Sequence, residues 1–147
     1  MSAEIPQSVQ QVLDEYIALI HEQRPGLLEG MYLHGSLALG AFDPRLSDID
    51  FISITSRRCS GADIDSLRAI HDTLRQRYPQ AQLEGSYLQW DDLGRFEDTI
   101  PPHPHIHDGI LHASGHFDIN GVTWWVLKHR GIALVGPPPE YLDIQVD

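Results

Sequence analysis

The sequence predicts a single α/β domain in which short strands alternate with amphipathic helices. Residues 31–33 and 51–54 are short apolar runs of the kind that form buried strands. Residues 5–22 and 62–78 instead repeat apolar side chains every three or four positions, which is typical of helices with one buried face. With 147 residues, 41% of them hydrophobic, the chain is long enough to form one core.

The first helix is predicted over residues 5–22. Pro25 and Gly26 end it, and residues 27–33 then lead into the first strand. The side chains expected on the buried face of this helix are Val9, Leu13, Tyr16, Ile17 and Ile20.

A tight turn is predicted where the first strand ends, at Gly35 and Ser36. Glycine lets the backbone turn sharply and lets a ligand approach it closely. Ser36 is suited to cap a following helix, and the free N–H groups of a helix N-terminus form a natural phosphate site. We therefore expect this turn to contact phosphate.

Two aspartates, Asp48 and Asp50, stand at the head of the second predicted strand. Residues two apart in a strand point to the same face, so Ile49 and Phe51 should face the opposite way, into the core. Two neighbouring carboxylates repel each other, and a cation between them removes that conflict. Mg²⁺ prefers one or two carboxylates together with phosphate oxygens, so the pair predicts a magnesium site.

A second helix is predicted from about Ala62, capped by Ser60 and ended by Pro79. It should cross over the sheet so that residues 82–89 add a third strand. That strand contains Glu84, and burying an unpaired carboxylate in a core strand is costly. Glu84 is therefore a candidate functional residue; the alternative is a place on an exposed face of the sheet. The buried stripe of the helix is expected to comprise Ile64, Leu67, Ile70, Leu74 and Tyr78.

Three histidines follow at two-residue spacing, His103, His105 and His107. Imidazoles spaced in this way along an extended segment are able to converge on a metal. A mobile loop, or a contact to substrate or nucleotide, is the alternative. Residues 108–109 (Asp-Gly) predict a turn, and residues 110–111 the start of a short strand.

The last helix is predicted to begin after Asn120, as its cap, and to end at Gly131 in the C′ position. A short apolar segment over residues 132–135 follows it, and the run of three prolines after Gly136 then breaks regular structure.

Charge and composition narrow the class of function. The net charge of −11, with only ten Lys and Arg residues, disfavours a nucleic-acid surface and suits a small cationic substrate. No segment has the length of a membrane span, and the N-terminus lacks the pattern of a signal peptide. The single cysteine, Cys59, excludes an internal disulfide and fits a cytoplasmic protein.

The spacing of these motifs resembles a known superfamily. Gly35-Ser36, eleven intervening residues and then residues 48–51 (Asp-Ile-Asp-Phe) are similar to the signature of DNA polymerase β-type nucleotidyltransferases. Residues 33–36, 47–50, 83–84 and 131–137 are similar, in order and spacing, to the N-terminal domain of aminoglycoside (streptomycin/spectinomycin) 3″-adenylyltransferases.

The resemblance implies a nucleotidyltransferase fold, with a mixed sheet flanked by helices. It implies transfer of AMP from ATP·Mg²⁺ to a hydroxyl of a small acceptor such as an aminoglycoside, with release of pyrophosphate, and hence a role in antibiotic resistance. Asp48, Asp50 and Glu84 would be the metal ligands and catalytic residues, with Glu84 as the base. Gly35, Ser36 and Ser47 would contact the nucleotide.

The resemblance covers one domain, residues 1–147, and the C-terminal helical domain of that family is expected to be absent. The chain would then be either a fragment of a longer enzyme or a protein whose cleft a homodimer or a partner subunit completes. The rival hypothesis is a partner-dependent or non-catalytic module, either antitoxin-like or a nucleotide-binding sensor. The clustered carboxylates favour an enzyme, because a domain that only binds does not need them.

Overall fold

The computed structural model describes residues 5–43 and 48–144. The described residues form one sheet of six strands with helices on both faces. The mixed sheet flanked by helices was predicted, whereas the number of strands was not. No helix in the described ranges combines the length and the apolar character needed to cross a membrane. The elements are α1 Gln7–Gln23, β1 Leu28–Leu33, α2 Gly35–Ala38, β2 Ile49–Thr55, α3 Gly61–Arg77, β3 Leu83–Leu88, β4 His105–His107, β5 Ile110–His112, α4 Gly121–Arg130 and β6 Ile132–Val135, with 3₁₀ turns at Trp90–Asp92, Glu97–Thr99 and Pro139–Tyr141.

The strands lie in the order β5-β4-β3-β2-β1-β6. Only β2 and β3 pair in parallel, because α3 crosses over between them as predicted; the other neighbours are antiparallel. The parallel register sets Asp50 on β2 beside Glu84 on β3. The sheet therefore brings together two candidate residues that lie 34 positions apart in the sequence.

Each face of the sheet buries its own apolar cluster. One cluster joins the sheet to α1 and α3 and contains Ile49 and Phe51, which confirms the direction predicted for these two side chains. The other cluster joins the opposite face to α4, through Ile52 and Trp124 among others. Burial on both faces fixes the register of β2, because a slip of one residue would exchange the two faces.

The helical stripes are largely as predicted. In α1, four of the five expected side chains are buried, Ile17 is half-buried, and Val12 is buried in addition. In α3, Leu67, Ile70 and Leu74 are buried, whereas Ile64 and Tyr78 are half-buried. Both helices therefore pack on one face of the sheet through the stripes that their periodicity predicts.

Two of the predicted caps are present and a third prediction is wrong. The Ser60 hydroxyl accepts a hydrogen bond from the backbone N–H of Asp63, and Asn120 accepts one from Thr123. Gly131 does follow the last residue of α4, but its φ of −58° is not the left-handed conformation of a C′ glycine. The chain continues directly into the extended strand β6, so no reversal is needed there.

Gly85 allows β2 and β3 to approach closely beside Glu84. A Cβ atom at this position would lie 2.2 Å from the backbone oxygen of Phe51 and 2.6 Å from its ring. We expect Gly85→Ala to lower the free energy of unfolding by about 2–3 kcal/mol, because a backbone atom cannot move aside as a side chain does. Thermal melts should show a fall in Tm of at least ~4 °C.

Gly61→Ala is the matched control, because a Cβ at Gly61 meets nothing within 4 Å. Its Tm should stay close to that of the native chain. Equal melting temperatures for the two variants would mean that the close approach at Gly85 is not a constraint on the fold.

Candidate active site

The carboxylate of Asp50 packs against the backbone of Gly35. A Cβ at Gly35 would lie 2.1 Å from Oδ2 of Asp50, so only glycine leaves room for the carboxylate in this position. Gly35 also has a left-handed φ of +63°, which glycine adopts without strain. The backbone N–H of His34 donates to the backbone oxygen of Asp50 at 3.0 Å, which ties the end of β1 to the start of β2.

Glu84 lies beside Asp50 in the sheet and is buried, with only 7% of its surface exposed. The alternative of an exposed sheet face is therefore wrong. Gln82 Nε2 lies 3.4 Å from Glu84 Oε1, and the backbone N–H of Asp108 also donates to this carboxylate. Asp48 is half-buried immediately before β2.

Burial and repulsion between the carboxylates together raise the pKa values of Asp50 and Glu84. Burial, followed by the charges of Asp118, Asp48 and Glu84, raises the pKa of Asp50 to about 7. Burial and the charge of Asp48 also raise the pKa of Glu84. A divalent cation would relieve this repulsion, and a set of oxygen donors is what Mg²⁺ requires. The donor types of Asp48, Asp50 and Glu84 therefore suit Mg²⁺. Their oxygens are not gathered within 4.8 Å of one another, because the group of the described residues that meets this distance is Glu84, His107 and Asp108.

Asp118 is a member of this group that the sequence analysis missed. It lies between β5 and α4 with a left-handed φ of +58°, and it accepts a hydrogen bond from Thr123 Oγ1 at 3.4 Å. Its charge raises the pKa of Asp50 and acts in the same direction on His34, whose pKa burial lowers. The only signal in the sequence is one acidic residue between Phe117 and Ile119, ahead of a helix.

The predicted nucleotide contacts are only partly placed. Ser36 lies inside the first turn of α2 and does not cap it, because Gly35 makes the turn and the N-cap residue is His34. Ser36 is therefore the second residue of α2 and not its N-cap. It directly follows Gly35, the residue that packs against Asp50. Ser47 lies outside the described residues.

The three histidines do not converge on a metal. His105–His107 form the strand β4 between β3 and β5, so the loop alternative is wrong for His105 and His107, whereas His103 lies outside the strand. His103 packs edge-on against His116, and His105 stacks on Phe117 with ring centroids 5.7 Å apart. The described residues contain one group of three metal-ligating side chains whose ligand atoms lie within 4.8 Å of one another, and its only histidine is His107.

Comparison with known proteins finds similarity in fold but not in sequence. No model of a protein family matches the sequence, and no curated protein does so either. A crystal structure of spectinomycin adenyltransferase AAD(9) from Enterococcus faecialis with ATP and spectinomycin superimposes with a TM-score of 0.65 at 12% sequence identity. The match covers 94% of this chain. The chain has a nucleotidyltransferase fold.

The nucleotidyltransferase fold agrees with the α/β class and the mixed sheet expected from the resemblance. The chain spans 60% of the length of the AAD(9) chain. A second structure, described as a toxin-antitoxin with AMP-PNP, is similar with a TM-score of 0.47 and 15% identity, over 86% of this chain and 75% of that one.

Proposed function

We propose that this chain is a Mg²⁺-dependent nucleotidyltransferase that moves AMP from ATP to a hydroxyl of a small acceptor and releases pyrophosphate. The observation that carries the proposal is the group of Asp48, Asp50 and Glu84, two of which are register neighbours in a nucleotidyltransferase fold. The charges of Asp48 and Glu84 raise the pKa of Asp50, and a bound cation would remove this repulsion.

Asp48 and Asp50 are the residues that would hold Mg²⁺. The ion, when bound, neutralises charge on the triphosphate and on the carboxylates. Gly35 lies against the Asp50 carboxylate and begins α2, so we assign Gly35 and Ser36, together with Ser47, to phosphate contacts. Because Gly35 has no side chain, the Asp50 carboxylate has room in its present position and the nucleotide has access to the backbone.

Glu84 is the proposed general base. As the acceptor oxygen attacks the α-phosphorus, its proton passes to Glu84, the new oxygen–phosphorus bond forms, and the bond to pyrophosphate breaks. The raised pKa of Glu84 suits this role, because a base is most effective when its pKa approaches the operating pH. General-base catalysis of this kind contributes about 10²–10⁴-fold in rate.

A cationic acceptor suits the charge of the molecule. The net charge is −11, and Asp118 adds an acidic side chain at the edge of the carboxylate group. The AAD(9) structure contains spectinomycin, so spectinomycin and streptomycin are the first acceptors to test. We propose an aminoglycoside-like acceptor, which would make the activity one of antibiotic resistance.

A second candidate is a nucleotide-binding module that needs a homodimeric or other partner subunit to complete its acceptor site. Exposed apolar side chains favour it: Phe96, Val122 and Trp125, which are 82%, 74% and 40% exposed, line one groove together with Ile119. Ile119 follows Asp118 directly, so the groove adjoins the segment of the chain that carries Asp118.

Calorimetric titration with ATP tests the proposed function. We expect binding in the presence of Mg²⁺ and its loss when EDTA replaces the metal, because the carboxylates repel an uncompensated triphosphate. Pyrophosphate release should then follow on addition of spectinomycin or streptomycin. Binding without release would favour the partner-dependent module, and an absence of binding under both conditions would overturn the enzyme proposal for this chain alone.

A further inference from the structure

His107 faces Glu84 across the pairing of β3 with β4. The antiparallel register of Gly85 with Ile106 continues outward to these two residues. His107 Nε2 lies 4.0 Å from Glu84 Oε2 and 3.7 Å from Asp108 Oδ2. Taken together, one ligand atom from each of the three side chains lies within 4.8 Å of the other two.

These distances are too long for hydrogen bonds, which join nitrogen and oxygen at about 2.7–3.2 Å. They are close to the spacing of neighbouring ligands around one metal ion. For bonds of about 2.0–2.2 Å to nitrogen and oxygen in a tetrahedral site, neighbouring ligand atoms lie about 3.3–3.6 Å apart. Small side-chain rotations would therefore bring all three atoms onto a shared cation.

The ligands are also held in place by their neighbours. The His107 ring packs on Phe117 with centroids 4.8 Å apart, and the Phe117 backbone oxygen accepts from Ser86 Oγ at 2.9 Å. Glu84 is oriented by the Gln82 amide and by the backbone N–H of Asp108. Such outer contacts are typical of metal ligands, because they fix the direction of the lone pairs.

We propose that Glu84, His107 and Asp108 form a metal site for a cation of intermediate softness, of which Zn²⁺ is the best example. One imidazole with two carboxylates suits Zn²⁺, Co²⁺ or Mn²⁺, whereas Mg²⁺ favours oxygen ligands alone. Three protein ligands leave a further coordination position open to water or another oxygen donor. The site uses Oε2 of Glu84, the oxygen that faces His107, so a cation bound there would oppose the general-base role proposed for Glu84. The site does not depend on the Asp48–Asp50 pair.

Visible absorption spectroscopy of the full chain titrated with Co²⁺ tests this site. Excess Mg²⁺ is present throughout, so that it occupies any site whose ligands are all oxygen atoms. We expect Co²⁺ to give the visible absorption bands of a low-coordinate, nitrogen-containing site, and we expect Zn²⁺ to abolish them. His107→Ala should weaken Co²⁺ binding by at least ~100-fold, since even the loss of an outer contact to a ligand costs about 10–100-fold. Asp108→Asn is a second variant in the same site.

His112→Ala is the matched control, because His112 is an exposed histidine of the same hairpin that stacks on His105 and is not in the ligand group. Its Co²⁺ spectrum should equal that of the native chain. Bands that persist in both His107→Ala and Asp108→Asn, or that vanish in His112→Ala, would overturn the proposal. Asp50→Asn should retain the bands even if it no longer binds Mg²⁺·ATP, which separates this inference from the proposed function.

Discussion

Asp50→Asn is expected to abolish nucleotidyl transfer while making the metal-free chain more stable at pH 8. The amide cannot supply the negative charge that holds Mg²⁺, so we expect transfer to fall by at least ~10³-fold. The same change removes a charge that burial, Asp118, Asp48 and Glu84 all disfavour. Activity and stability should therefore move in opposite directions, which loss of folding cannot produce.

The pH dependence of this effect follows from the raised pKa of Asp50, about 7 against an ordinary value of 3.8. Between pH 4 and pH 7 the folded chain keeps a proton that the unfolded chain has released, so this group lowers stability as pH rises through that window. Asn carries no such penalty. Allowing for the partial exposure of Asp50, we expect Asp50→Asn to raise the free energy of unfolding by about 1–2 kcal/mol at pH 8, which corresponds to about 2–6 °C in Tm. Near pH 4 we expect no difference between the variant and the native chain.

Melts at pH 4, 6 and 8 in EDTA, together with a pyrophosphate-release assay, measure both effects. Asp98→Asn is the control, because this carboxylate is exposed on the 3₁₀ turn Glu97–Thr99. It should leave stability and transfer close to native at every pH. Retention of full transfer by Asp50→Asn would refute the metal assignment, and a loss of stability at pH 8 would refute the charge repulsion.

Gly35→Ala should weaken Mg²⁺·ATP binding by at least ~10-fold. The new Cβ would lie 2.1 Å from Asp50 Oδ2, so the carboxylate must move away from the position in which we expect it to bind the metal. The left-handed φ of +63° adds backbone strain of about 1–2 kcal/mol for a residue with a side chain. Binding and stability should therefore both fall.

Gly40→Ala separates these two causes. Gly40 has a similar φ of +73°, but a Cβ there meets nothing within 4 Å. We expect it to lose only the part of the stability that backbone strain accounts for, about 1–2 kcal/mol, and to keep native affinity in calorimetry with Mg²⁺·ATP. If both variants bind the nucleotide equally well, the contact between Gly35 and Asp50 has no part in the site.

The local pattern of the sequence was sufficient for the elements that carry the site. A two-residue period places Ile49 and Phe51 in one core and leaves Asp50 on the other side of the strand, and the structure agrees. The helical stripe and Ser60 cap of α3 predicted a crossover, which makes β3 the parallel neighbour of β2. Glu84 is the acidic residue of that strand. It is a functional candidate because burying an unpaired carboxylate is costly.

Other parts of the site could not be predicted because loops, rather than periodic elements, position them. Asp118 itself has a left-handed φ, and this conformation lets its charge act on Asp50 from a loop. No periodic pattern in the sequence predicts such a conformation. Spacing alone groups His107 with His103 and His105, but the turn at Asp108 gives His107 different partners.

The sequence by itself determined helices α1, α3 and α4 and strands β1, β2 and β3, together with the acidic residues of β2 and β3, since period and capping are properties of neighbouring residues. It did not determine strand β4, which has only three residues and no period of its own. Only the tertiary structure decided which side chains meet, as the Asp50 contact with Gly35 and the Glu84 contact with His107 illustrate. Such contacts depend on strand order and loop conformation, and both are set by the packing of the whole chain.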